Sequence, residues 1–252
     1  MRKQIFTLFL FLGTLTIFSQ TDSVNSLPCA NRRFAILAHV FLNQNLDTGI
    51  TKAQIETFVD DLNNAWEPIC MSFYLCEMRV HGNYNFSIWD DDRNKDEAIA
   101  IYGETNVINV YMMDSMGFPP AGGYASLAGI SSTDDPFVAI KKTLGSGVWI
   151  HEFGHYFGLE HTHETRHGLE LVNGSNCSTA GDKICDTPAD PFPNGSVQSK
   201  CKFVSSAIDA NGNKYLPLVE NYMSYWDCAC RFTRGQYLKM FSTYSSNPKA
   251  HW

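Results

Sequence analysis

Between residues 150 and 161 the chain reads Ile150-His151-Glu152-Phe153-Gly154-His155-Tyr156-Phe157-Gly158-Leu159-Glu160-His161. On a helix, His151 and His155 are one turn apart, so their imidazoles share a face about 6 Å apart along the axis. That spacing suits two ligands of one tetrahedral Zn²⁺. Glu152 stands beside the first ligand, where its carboxylate reaches a water at the metal without taking a coordination position. A general base is placed in this way. Ile150, Phe153, Gly154 and Phe157 form the opposite face and hold the helix against a core. Gly158 falls where the helix must stop, and glycine tolerates the left-handed helix end. His161 then arrives from another direction as a third ligand, leaving a fourth position open, which is the arrangement of a catalytic rather than a structural zinc. With average residue usage HExxH arises by chance in roughly one chain in a hundred, and the added Gly and His lower this by a factor of about 500.

The elements that must position this segment follow from periodicity. Residues 34–42 form a short apolar run without a helix cap, as in a buried strand. From Thr51 to Trp66 apolar residues recur at 55, 58, 59, 62 and 66, an amphipathic helix, and Thr51 with Gln54 fits a capping box. Segments 70–80 and 106–113 read as further strands, and 122–132 as a glycine-loosened edge strand. The zinc-binding helix is expected over 141–158 and a terminal helix over 233–242. Asp90-Asp91-Asp92 reads as a solvated loop, and Asp209 to Asn213 as a hairpin turn at Asn-Gly rather than a calcium loop. Composition shifts at residue 158: an α/β half precedes it, and a half rich in Gly, Pro, Asn, Asp and Cys follows. A cleft between two such halves is where a ligand site is expected.

With 252 residues, 44% of them hydrophobic, the chain can bury a substantial core, and the absence of repeats excludes solenoids and coiled coils. The net charge is −7 without a Lys/Arg cluster, which argues against a nucleic-acid partner. Residues 1–19 carry Arg2 and Lys3, an apolar stretch from Ile5 to Phe18 and small Ser19, the order of a secretory signal peptide. Its removal takes the formal charge from −7 to −9. A second apolar stretch long enough to span a bilayer is absent from the sequence, so a secreted, non-membrane and monomeric protein is expected. Eight cysteines in an exported chain read as disulfides, with 105 possible full pairings. A zinc ribbon is disfavoured, since Cys70/Cys76 and Cys228/Cys230 lack its C-x₂₋₄-C spacing.

HEFGHYFGLEH fits the HExxHxxGxxH signature of the metzincin metalloproteases, and Asn221-Tyr222-Met223-Ser224-Tyr225 resembles their Met-turn. Asn176 to Pro188, with Gly181-Asp182 and Asp186-Thr187-Pro188, resembles the GDxxxDTP segment of the pappalysin branch, the cytophagalysin and ulilysin relatives. Phe232-Thr233-x-Gly235-Gln236 also matches it. The resemblance runs from near residue 34 to the C-terminus. It implies an α/β metzincin fold: a twisted mixed sheet, two main helices above the cleft, and an irregular disulfide-held C-terminal subdomain with a terminal helix. It also implies that His151, His155 and His161 bind zinc while Glu152 activates the water that attacks a peptide carbonyl. Met223 is implied as a hydrophobic floor under the metal, and Tyr225 as the phenol that stabilises the oxyanion. Gly123, Tyr124 and Ala125 are implied as the rim that pairs with substrate backbone. Asp182 and Thr187 fall where a structural calcium would take oxygen ligands. Asp227, just past the Met-turn, is a candidate for a pocket that selects a basic residue. His163 and His167 are expected to be bystanders.

The expected organisation is a signal peptide at 1–19, a short lead-in or minimal pro-segment at 20–33, and a catalytic domain at 34–252 divided at 158/159. Cys29 is expected in a disulfide, the alternative being a thiolate that blocks the metal. The expected activity is that of a secreted zinc metalloendopeptidase acting on protein or peptide substrates. A protease with a glutamate as third ligand would need Glu164, Glu170 or Glu220 on a following helix, and all three lie in loop-like sequence. A non-catalytic binding protein on the same scaffold would be signalled by loss of Glu152 or a ligand, and none is lost.

Overall fold

The structure is a computed structural model that describes residues 26–117, 122–132 and 134–246, so the expected signal peptide at 1–19 lies outside the described residues. Five strands form one mixed sheet: β1 (Arg32–Phe41), β2 (Met71–His81), β4 (Ile108–Met113), β7 (Phe137–Lys141) and β6 (Gly123–Ala125). Their order is β2-β1-β4-β7-β6, with every pair parallel except β6 against β7. The central strand β4 is buried at every position, as expected of a parallel strand covered on both faces.

The period of two along these strands divides the core. Ile36, Ala38, Val40, Val110, Met112, Val138 and Ile140 face the larger cluster, which is completed by helices α1 (Lys52–Trp66) and α3 (Ser146–Tyr156). Phe41, Tyr111, Met113, Phe137 and Ala139 face the other way, toward helix α2 (Asp92–Tyr102) and the small pair β3 (Ile88–Trp89) and β5 (Ser115–Met116). Helix α1 begins where the capping box places it, with Thr51 Oγ1 accepting from the Gln54 N–H and Gln54 Oε1 accepting from the Thr51 N–H at 2.9 Å. Its Ile55, Leu62 and Trp66 are fully buried. The last helix, α4 (Arg234–Ser245), inserts Met240 into the larger cluster and ties its Tyr237 hydroxyl to the Ala65 carbonyl at 3.0 Å.

Several expectations are corrected. Residues 141–145 are not helical: Lys141 ends β7, and α3 starts after Gly145. The edge strand expected over 122–132 is limited to Gly123–Ala125 and gives way to a 3₁₀ turn at Gly129–Ser131. The acidic run at 90–92 is not a free loop, because Asp91 caps α2 by accepting from the Asn94 N–H at 3.0 Å.

After α3 the chain has little regular structure up to α4, beyond the antiparallel pair β8 (Ser196–Gln198) and β9 (Lys202–Val204). Asp209 closes a tight hairpin turn, accepting from the Asn211 and Asn213 N–H groups at 2.9 and 2.8 Å. Disulfides join Cys29–Cys70, Cys177–Cys185 and Cys201–Cys228. Cys29 is thereby a disulfide partner rather than a thiolate. Full pairing of the cysteines does not hold: Cys76 and Cys230 are free and exposed. Cys76 is the extra residue of a bulge on edge strand β2, between Leu75 opposite Ile36 and Glu77 opposite Leu37.

Candidate active site

Helix α3 presents His151, Glu152 and His155 from its last two turns and stops at Gly158, whose φ of +91° only glycine adopts without strain. A Cβ there would also collide with Thr243 of α4, so the turn that delivers His161 depends on the missing side chain twice over. His151 Nδ1 donates to the Tyr222 carbonyl and His155 Nδ1 to the Leu159 carbonyl, both at 2.7 Å. A carbonyl only accepts, so these bonds fix the tautomers and leave Nε2 of both rings as bare lone pairs.

Those two Nε2 atoms lie 3.1 Å apart, and His161 Nε2 lies 3.2 and 3.0 Å from them. One proton on His161 could satisfy only one of these contacts. Burial, and then the neighbouring imidazoles, push His151 down to about 3 and hold His161 low, so the rings are neutral at ordinary pH. Lone pairs aimed at one another are repulsive, and a cation at their common focus removes the repulsion. Tetrahedral zinc with bonds of 2.0–2.1 Å spaces its nitrogen ligands about 3.3 Å apart, close to the observed triangle. The donor set therefore fits zinc, and among the described residues it is the cluster of His, Cys, Asp and Glu side chains able to hold a metal.

Glu152 is 5% exposed, and burial pushes its carboxyl up to about 8. Gly123 of β6 passes directly over it, since a Cβ at Gly123 would strike the Glu152 carboxylate. The rim strand can cross the glutamate only because that residue is glycine. β6 is the terminal strand of the sheet, so its outer edge has no strand partner among the described residues. The Tyr225 ring stands 4.6 Å from the His161 ring and 5.6 Å from that of His151. Burial, and then Glu152, raise its phenol above the ordinary value, so it remains a hydrogen-bond donor.

Met223 is fully buried, with its sulfur against Gly154 of α3. Its turn is held by Asn221, whose Oδ1 accepts from the Met223 N–H at 2.8 Å and whose amide pairs with Gln236 of α4 at 2.8 and 3.0 Å. Asp186 clamps the start of the same helix, accepting from Thr233 Oγ1 at 2.8 Å and the Gly235 N–H at 2.7 Å. The two C-terminal motifs thus meet at one joint behind the metal cluster.

A cleft of about 430 Å³ joins Gly123, Tyr124 and Ala125 to the three histidines, Glu152 and Tyr225. It is also lined by Leu127, Glu160 and Arg166, which sequence reasoning missed, and by Glu164, which it weighed only as a metal ligand. The signal for the charged members was present as the charged residues on either side of the third histidine. Asp227, in contrast, is exposed and is not part of the cleft lining. His163, expected to be a bystander, lies outside the cleft lining but stacks its ring on His161 at 4.9 Å and meets Tyr225 at 4.6 Å. His167 bonds to the Glu160 carboxylate at 2.9 Å. Asp182 is buried and engaged by Thr187, whose hydroxyl lies 2.8 and 2.9 Å from its two oxygens, and by the Ile184 N–H. Burial pushes Asp182 up to about 7, and burial with Asp182 beside it does the same to Glu170.

The family model Peptidase_M43, described as pregnancy-associated plasma protein-A, matches residues 91–244, a span that contains both the histidine cluster and the Met-turn. The chain belongs to the Peptidase_M43 family. As a member it is a metalloendopeptidase, and the pappalysin resemblance read from its motifs holds. An extracellular metalloprotease of Sordaria macrospora is 26% identical over 216 residues, covering 79% of this chain and 70% of the relative. One of Arthroderma gypseum, also named extracellular metalloprotease, is 27% identical over 238 residues, covering 88% and 75%. Mature mirolysin of Tannerella forsythia, solved with a cleaved peptide, superposes with a TM-score of 0.66 at 18% identity, covering 89% of this chain and 95% of that one. That likeness places this M43 member in the metzincin fold.

Proposed function

We propose that the chain is a secreted zinc endopeptidase in which Glu152 is the general base. The observation that carries this is the convergence of three histidine Nε2 atoms beside a buried glutamate, in a cleft that opens on the free edge of β6. When bound by His151, His155 and His161, zinc supplies Lewis-acid polarisation of the peptide carbonyl and lowers the pKa of water. The substrate backbone adds to β6 as a further antiparallel strand, with Gly123 to Ala125 giving main-chain hydrogen bonds. Glu152 takes a proton from the attacking water and passes it to the departing amine. Its buried position, 5% exposed beside the histidines, suits a group that must both accept and release that proton away from bulk water. Tyr225 donates its hydroxyl to the oxygen that gains charge, and Met223 packs beneath the histidines as an apolar floor.

Secretion rests on the signal-peptide pattern at 1–19 and on the extracellular relatives, and no helix among the described residues is long and apolar enough to cross a membrane. In this reading residues 20–33 form the lead-in and 34–252 the catalytic domain, divided at Gly158. The calcium reading at Asp182 and Thr187 rests on the family resemblance alone. The test is cleavage of a mixed peptide library by the purified, zinc-loaded chain, followed by mass spectrometry beside Glu152→Ala and a chelated sample. Cleavage by the wild type alone, with one zinc per chain by metal analysis, is the expected result. Equal cleavage by Glu152→Ala would overturn the role of Glu152.

A further inference from the structure

The loop that leaves the third histidine builds a charged group on the wall of the cleft. Arg166 Nη2 meets Glu160 Oε1 at 3.2 Å and Glu164 Oε2 at 3.0 Å. Glu164 is itself fixed, its Oε1 accepting from the Thr165 and Arg166 N–H groups at 2.8 and 2.7 Å. Glu160 is fixed from its other side by His167 at 2.9 Å. Both carboxylates are therefore occupied by partners within the loop.

Their accessibility is unequal. The Glu160 and Glu164 side chains are 17% and 11% exposed, whereas Arg166 is 64% exposed. All three side chains line the cleft, and the guanidinium is the most exposed of them. Both bonds to the acids use Nη2, so the N–H donors of Nη1 and Nε have no partner among the described residues. The glutamates hold the cation in one place, which removes most of the entropy that an exposed arginine ordinarily loses on binding. An anchored guanidinium with unused donors matches a carboxylate, which it can meet with a bond that a lysine side chain cannot make.

We infer that Arg166 is a specificity-determining residue that receives an acidic side chain of the peptide substrate. This rests on the proposed peptidase activity and adds to it the substrate class that the cleft favours. The carboxylate of a substrate Asp or Glu accepts from Nη1 while Glu160 and Glu164 keep Nη2 in place. Leu127 and Tyr124 line the same cleft and give it apolar surface.

The experiment uses the zinc-loaded chain and a library in which each position around the scissile bond carries Glu, Gln, Ala or Lys, with Glu152→Ala as the inactive control. The expected result is one position at which Glu exceeds Gln in kcat/KM by about tenfold, the size of one charge-assisted hydrogen bond at a partly exposed site. That ratio should shrink with added salt, collapse toward one in Arg166→Ala and invert in Arg166→Glu. The salt dependence is read on the wild type and does not require a variant to fold. Wild-type cleavage without an acidic preference, with a preference for Lys, or with an acidic preference that Arg166→Ala retains would overturn the inference and leave the peptidase reading intact. If wild type and Glu152→Ala are equally inert with zinc bound, the peptidase reading fails and this inference fails with it.

Discussion

Helix α1 and the sheet beneath it bury Ile55, Leu62 and Trp66 to zero exposure, whereas the 76 residues between α3 and the N-cap of α4 hold two three-residue strands and two of the three disulfides. The first region is fixed by many interchangeable apolar contacts. The second is fixed by individual links: Asn221 to Met223 and Gln236, Asp186 to Thr233 and Gly235, Cys201 to Cys228. The metal cluster spans both, with two histidines and Glu152 on the buried helix and His161 on the irregular side. A rigid core can aim a helix, but three directions of approach to one ion require a segment freed from helical period.

The largest effect should come from the residue at the join. Glu152→Gln keeps the shape and removes the base, so kcat should fall by about 10²- to 10⁴-fold with zinc still bound. A comparable fall accompanied by loss of zinc would mean instead that the two regions had come apart.

Deep in the first region, Trp66 packs on Phe73, Phe153, Phe157 and Phe232 with ring centroids 5.2–6.4 Å away. Trp66→Ala should cost about 4 kcal/mol and lower protection from hydrogen exchange throughout the sheet. In the second region, replacing Cys201 and Cys228 by serine opens a loop of 27 residues and should cost about 3 kcal/mol. Faster exchange should then be confined to residues after Gly158. If exchange in the sheet rises equally, the two regions form one cooperative unit and the contrast is one of construction only.

Acidity should move the two regions in opposite directions. His39 and His81 are hydrogen-bonded to each other at 3.0 Å beneath the sheet, with Asn109 on the far nitrogen of His39. Burial, then His39, then Arg79 push His81 down to about 4 against the weaker pull of Glu77, and burial lowers His39 with Glu104 also nearby. The unfolded histidines, with an ordinary value near 6.5, bind protons that the folded pair refuses, so the sheet should lose stability as pH falls from about 6.5 to about 4. Asp182 and Glu170 behave in the reverse sense. Their folded values of about 7 exceed the unfolded ones near 4, so the folded state holds the extra protons and the loop around them should weaken as pH rises from about 4 to about 7. Hydrogen exchange at pH 5 and pH 7 should show both trends in one sample, and His81→Leu should weaken only the first, leaving the part carried by His39.

What could be read from sequence follows the same division. The stripe at 55, 58, 59, 62 and 66 repeats often enough to identify α1, and HExxHxxGxxH carries its own geometry in the ligand spacing. Strand β7 is only five residues long, too short for periodicity to separate it from the helix that begins after four intervening residues. Helix α2 fully buries Ala98 and packs Ile99 and Tyr102 only in part, so it lacks the long apolar stripe that marks α1. Arg166 escaped notice because its role comes from which side of Glu160 and Glu164 faces water. Residue spacing does not encode that. Cys76 and Cys230 were indistinguishable from their paired neighbours, since pairing depends on Cα separations that only the fold provides.

The smallest expected effect compares a helix that the sequence revealed with one that it concealed. Thr51 caps α1 through a reciprocal box with Gln54, and Asp91 caps α2 through one bond to the Asn94 N–H. Each cap satisfies an otherwise orphaned N–H, so Thr51→Ala and Asp91→Ala should each cost about 1 kcal/mol. Their reach should differ. Helix α1 is clamped by Ile55, Leu62 and Trp66, so losing its cap frays one turn while the rest stays protected. Helix α2 is anchored only toward its C-terminal end, by Ala98, Ile99 and Tyr102, so losing Asp91 should raise exchange over a larger share of its length. Equal, local fraying in both would show that α2 is held by packing that its sequence does not advertise.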